Sequence, residues 1–111
     1  MQFQDSRMGK AWVIEVAGRV DAAGAALLEA HCQKGLGRGE THLVVDLAGV
    51  DFMASAGLRA LLSLAKKVKP LQGRLVISGA VGPVKEIFDL AGFSTILPMC
   101  EKLEEAAALV M

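Results

Sequence analysis

The sequence predicts a single α/β domain over residues 1–111, built on a mixed sheet of four to five strands with about four helices packed mainly on one face. Three observations lead there. Short apolar runs rich in β-branched residues alternate with stretches of helical period. Gly9, the glycines at 35, 37 and 39, Pro70 and Pro83 punctuate the boundaries between them. The chain, at 111 residues, is close to the usual size of one domain and can bury roughly 65% of its extended-chain surface.

Residues 3–7 and 11–17 read as strands around a Gly9-Lys10 turn, with Trp12, Ile14 and Val16 alternating against Val13 and Glu15, which predicts an antiparallel hairpin. Asp21 is placed as the N-cap of a helix that runs to about residue 34 and is ended by Gly35, Gly37 and Gly39. Residues 43–47 are a nearly continuous apolar run and read as a buried strand. From Leu58 the period changes: Leu58, Leu61, Leu62, Ala65 and Val68 share one face of a helix over about residues 56–69, closed by Pro70. Residues 74–78 form another apolar strand. Pro83 then suits the first position of a helix ending at Gly92. A short strand is expected over 95–97 and a last helix over 101–110, with Glu101, Glu104 and Glu105 biased toward its start. Strands alternating with helices require parallel crossovers. Neither an internal repeat nor a low-complexity segment interrupts the pattern.

Composition removes several functions. Hydrophobic residues make up 53% and charged residues 22%, the latter split into 12 basic and 12 acidic side chains. A net charge of zero argues against direct nucleic-acid binding, which needs a concentrated positive surface. Lys66, Lys67 and Lys69 cluster where cations favour a helix C-terminus and read as a solvated end. Apolar stretches are too short or too broken to make a membrane span of about 20 residues. Residues 1–7 lack the basic-then-apolar order of a secretory signal, so a cytoplasmic location is expected. Cys32 and Cys100 have no CxxC spacing and read as small fillers or surface thiols, with no metal or cofactor expected. His31 and His42 stand beside no nucleophile in sequence, and Asp46 and Asp51 suit turn hydrogen bonding. The stretch from Gly35 to Gly39 precedes a strand and lacks a Gly-Lys-Ser/Thr ending, so it is a connector rather than a phosphate loop. No catalytic residue is assigned; a small hydrolase or nucleotide-binding enzyme is the weakest reading.

The informative residue is Ser55. It stands between the apolar run and the amphipathic helix, where the first helical N–H groups lack intrahelical partners. One role for its hydroxyl is an N-cap. The other is a modification site, because a helix N-terminus stabilises added negative charge, and a phosphate adds a charge of about −1.5 to −2 there.

The stretch around Ala54-Ser55-Ala56-Gly57-Leu58 resembles the signature of the STAS domain, the family of anti-sigma factor antagonists and sulfate-transporter tails. Gly18-Arg19-Val20-Asp21 with the Ala-rich run to Leu28 resembles the start of the family's first helix, and the stretch from Pro83 to Phe93 resembles its third helix and turn. In phosphorylatable members the signature reads Asp-Ser-Ser-Gly-Leu or Asp-Ser-Thr-Gly-Leu with the first hydroxyl residue as acceptor, a position that falls on Ser55. Ala54 stands where the aspartate usually is, Ala56 at the second hydroxyl position, and Arg19 where many members carry Glu.

The resemblance implies a non-enzymatic anti-sigma factor antagonist. Its partner would be an anti-sigma factor with serine-kinase activity, released by phosphorylation of Ser55, and a serine phosphatase is a second candidate partner. The expected docking patch is Asp21, Met53, Ala54, Ser55, Gly57 and Arg59, with Met53 equally assignable to the core. The alternative is a non-switching STAS subunit of a larger assembly such as a lipid-transport ABC system, favoured by Ala54 and Ala56.

Overall fold

Side-chain alternation and one glycine set the first hairpin of the computed structural model, which describes residues 1–93 and 96–110. Strands β1 (Gln2–Met8) and β2 (Ala11–Val20) pair antiparallel, from Gln2 opposite Ala17 to Met8 opposite Ala11. Gly9 heads the two-residue loop at φ 62°, a left-handed conformation that suits glycine. Helix α1 (Ala22–Gly37) crosses to β3 (His42–Met53), which lies parallel to β2. Helix α2 (Ser55–Val68) and a 3-10 turn (Lys69–Leu71) lead to β4 (Arg74–Ser78). Helix α3 (Gly82–Leu90), β5 (Met99–Cys100) and α4 (Leu103–Val110) complete the described order. The sheet runs β1-β2-β3-β4-β5, with β1 antiparallel to β2 and every later pair parallel.

Period-two alternation sends successive side chains to opposite layers. Trp12, Ile14, Leu43, Val45 and Ile77 pack with Leu28 of α1, Leu61 and Leu64 of α2, and Phe88 of α3. The intervening Val13, Val44 and Val76 pack with Ala106, Ala107 and Val110 of α4. Three helices therefore cover one face and the fourth covers the other. Among the described residues no helix is long and apolar enough to cross a membrane.

The structure departs from the sequence reading at four places. β3 extends six residues past the expected end at 47, because its buried side chains after Leu47 are Val50 and Met53, spaced by three instead of two. Two register shifts against β2 explain this: from Glu15/Asp46 to Ala17/Gly49, and from Gly18/Val50 to Arg19/Phe52, β3 gains one residue each time. Each bulge resets which side chain faces the core.

Helix α1 continues through Gly35, where a Cβ would sit 1.9 Å from the Trp12 ring. That glycine permits close packing rather than ending the helix. On α2, Leu58, Leu61, Leu64 and Val68 are buried, whereas Leu62 and Ala65 lie half-buried at the margin. Finally, the strand expected over 95–97 is corrected: Thr95 lies outside the described residues, and Ile96 and Leu97 belong to a turn whose N–H groups donate to the Phe93 carbonyl at 3.0 and 2.8 Å. This turn buries Leu97, and the edge strand forms at Met99–Cys100 instead.

Candidate functional site

The exits of two parallel neighbours, β2 and β3, meet beside the starts of α1 and α2. Val20 pairs with Met53 in the strand register, and the next amide, Ala54 N–H, donates to the Val20 carbonyl at 2.8 Å. Asp21 follows Val20 and caps α1 as expected: its Oδ1 accepts from Gly24 N–H at 2.8 Å. Gly24 is tight there, since a Cβ would lie 3.0 Å from the Arg19 carbonyl oxygen.

The capping role for Ser55 is corrected by the helix start. Ala54 occupies the N-cap position, at φ −81° and ψ 163°, and has no side-chain cap; Ser55 is the first helical residue. The Ala54 carbonyl instead accepts from Gly57 N–H at 2.9 Å. Ser55 is solvent-exposed, as are Asp21 and Arg59. A hydroxyl at this position meets the positive end of the helix dipole without being committed to the cap.

Two residues of the expected docking patch lie beneath it. Met53 is buried at 1% exposure, so its side chain belongs to the core and not to a surface that a partner touches. Gly57 is buried as well, because the helix start rests directly on β2 and β3: a Cβ on Gly57 would approach Met53 Cγ to 2.9 Å and Val20 Cγ1 to 3.0 Å. Ala54 is half-exposed, as is Ala56.

Sequence reasoning missed a neighbouring pair in its patch. Arg19 and Phe52 are opposite one another in the β2–β3 register, and the Arg19 guanidinium carbon lies 4.2 Å from the Phe52 ring centroid. Both are exposed, and each directly precedes the Val20–Met53 pair. The signal for Phe52 was concealed by the bulge that turns Met53, and not Phe52, toward the core.

Several other chemistry-bearing side chains are engaged structurally. His31 Nε2 lies 2.8 Å from Asp5 Oδ1 with its ring stacked on Phe3, and His42 Nδ1 lies 3.0 Å from Thr41 Oγ1. Asp46 accepts from the buried Ser78 hydroxyl at 2.8 Å. Burial pushes the Cys32 thiol up to about 12, with Asp5 and Glu29 adding to the effect. Among the described residues no group of three or more His, Cys, Asp or Glu side chains could hold a metal ion.

The class defined by these features is a small α/β domain with an exposed serine at a helix start, beside the carboxyl ends of two parallel strands. The chain belongs to the STAS domain family, whose profile matches residues 4–106. BtrV of Bordetella bronchiseptica, provisionally named an anti-sigma factor antagonist, is 40% identical over 91 residues, covering 82% of this chain and 78% of that protein. The crystal structure of an anti-sigma factor antagonist from Mycobacterium paratuberculosis superposes with a TM-score of 0.88 at 25% identity, over 98% of this chain and 92% of that one. The Bacillus cell fate determinant SpoIIAA, solved in its phosphorylated form, shares the fold at a TM-score of 0.74 and 20% identity, over 99% of this chain and all of that one.

Proposed function

We propose that this chain is an anti-sigma factor antagonist that docks on an anti-sigma factor with serine-kinase activity and is released when Ser55 is phosphorylated. The observation that carries the reading is the exposure of Ser55 at the first position of α2, with Asp21 and Arg59 also exposed. It is supported by the kinship with BtrV and by the phosphorylated form of the fold relative SpoIIAA.

A phosphate at Ser55 is tolerated by the isolated helix, whose free N–H groups and dipole favour an anion. In a close-packed interface the same dianion must be desolvated, so the complex weakens while the domain stays folded. ATP is bound by the kinase, and this domain contributes only the accepting hydroxyl. A serine phosphatase resets the cycle, and the setting is cytoplasmic. Incubation with the partner kinase and ATP adds one phosphate by intact mass, and Ser55→Ala abolishes it. An active kinase that leaves the protein unmodified discards the switch.

One observation favours a second reading. The residues flanking Ser55 are Ala54 and Ala56, and Ala54 offers the helix no side-chain cap. A constitutive STAS subunit of a larger assembly, such as a lipid-transport ABC system, needs no acceptor geometry at this point. Copurification with transporter subunits and no phosphate on Ser55 favours it.

A further inference from the structure

The guanidinium of Arg19 is held over the Phe52 ring, 4.2 Å from its centroid, and among the described residues it makes neither a hydrogen bond nor an ion pair. The carboxylates nearest to it along the two strands are placed elsewhere. Asp21 Oδ1 accepts from Gly24 N–H, and Asp51 is the extra residue of the second bulge, opposite no residue of β2. Phe52 is itself 36% exposed. Val20 and Met53 point into the core under α1 and α2, so alternation puts Arg19 and Phe52 on the other side of the strand exits. On that side α4 packs against Val13, Val44 and Val76 and leaves the pair uncovered.

A cation over a ring adds little to folding while both groups are in water, and more once they are desolvated. The pair is therefore better suited to being covered by another surface than to holding this one together. A guanidinium presents a planar fork of N–H donors that fits a carboxylate, and resting on a ring keeps it in place before contact. Arg and aromatic side chains are also the types that concentrate binding energy at interfaces. Ser55 is three peptide steps of about 3.8 Å beyond Phe52, which puts their Cα atoms within about 11 Å, and a standard interface covers about 800 Å² of each protein. A protein seated on Ser55 has surface over the pair as well.

We propose that Arg19, held by Phe52, is a specificity-determining contact for the anti-sigma factor, whose docking surface presents an Asp or Glu carboxylate to the guanidinium and an apolar side chain to the ring. The inference rests on the docking proposed for Ser55 and adds the charge and shape that this docking selects. A partner with a basic side chain at that point is rejected by like charge.

The test uses the full chain and the anti-sigma factor kinase that phosphorylates Ser55, held with ADP so that no phosphate is transferred. Calorimetric affinity should fall by about tenfold or more in Arg19→Glu and by less in Arg19→Gln, with Arg19→Lys retaining part of the loss and Phe52→Ala weakening binding too. In Ser55 phosphorylation by Arg19→Glu, KM should rise while kcat stays within about twofold, because a docking contact is lost and the acceptor is not moved. Exposed carboxylates of the kinase are then reversed to lysine one at a time, and one reversal should restore affinity for Arg19→Glu while weakening the parent pair. Equal melting temperatures show the variants to be folded, and Arg19→Gln, which adds no new charge, carries the comparison if Arg19→Glu melts lower. Unchanged affinity in both Arg19→Glu and Arg19→Gln overturns this inference and leaves the docking at Ser55 standing, as does the lack of any restoring reversal. A parent chain that binds no such kinase overturns both.

Discussion

The Ala54 amide donates to the Val20 carbonyl at 2.8 Å, one residue before the helix that presents Ser55 begins. The direction of α2 is thereby set by backbone bonding to β2 and by packing, and the Ser55 side chain is spared a structural task. A substitution at Ser55 can act on binding while leaving the fold nearly unchanged.

Ser55→Ala is accordingly expected to change unfolding free energy by no more than about 0.5 kcal/mol, the usual range for an exposed site without a cap. Ser55→Asp should raise stability, by about 0.3–1 kcal/mol, through the helix dipole. Affinity for the anti-sigma factor should move the other way, kept by Ala and lowered by Asp. Denaturant unfolding and calorimetric binding on the same three proteins check this divergence. Equal affinity for all three removes Ser55 from the interface.

Gly57→Ala adds a methyl where Met53 Cγ would be 2.9 Å away and Val20 Cγ1 3.0 Å away. Met53 is flexible enough to yield in part, so the expected loss is about 1–3 kcal/mol, typical of overpacking. The displaced helix start should also reduce partner affinity. A thermal melt unchanged from the parent protein contradicts the close approach.

Much of this architecture was legible because most boundaries coincide with local signals. Asp21 caps α1 as the sequence reading expects, and Pro83 falls in the first turn of α3, one residue after its start at Gly82. What was hidden depends on non-local contacts. Gly35 looks like a terminator until Trp12, far away in sequence, is seen to occupy the space of its missing side chain. Met53 looks as available as Phe52 until two bulges turn the third residue of each step inward. The same limitation applied to α2, where Leu62 satisfied the helical period but the packing turned Leu64 inward and left Leu62 at a groove. Of the docking patch expected from the motif, Ser55, Asp21 and Arg59 are exposed, whereas the neighbouring pair of Arg19 over Phe52 is visible only from the pairing register.

Asp21→Ala should destabilise the protein by about 0.5–2 kcal/mol, since the Gly24 N–H loses its cap acceptor at the head of α1. Asp21→Asn retains an acceptor at the same place and should recover most of the loss. Chemical unfolding of the pair distinguishes the cap from a role confined to partner contact. If Asn and Ala are equally unstable, the charge and not the hydrogen bond is responsible.

The two thiols should separate by reactivity. Cys32 is fully buried, and desolvation, aided by Asp5 and Glu29, raises it from the ordinary 9.0 to about 12. Cys100 is half-buried at the edge strand and is raised too, first by burial and then by Glu105. Because the thiolate is the nucleophile, a maleimide at mildly alkaline pH should label Cys100 first and reach Cys32 only through unfolding. The same burial has a signed consequence for stability. Above pH 9.0 the unfolded Cys32 releases its proton while the folded thiol keeps it, so stability falls as pH rises toward about 12. Other groups titrate in that window, and the Cys32→Ala variant isolates the contribution: it should lose less stability between neutral and alkaline pH than the parent. Native-state labelling of both thiols at one rate would show instead that α1 opens from the sheet without global unfolding.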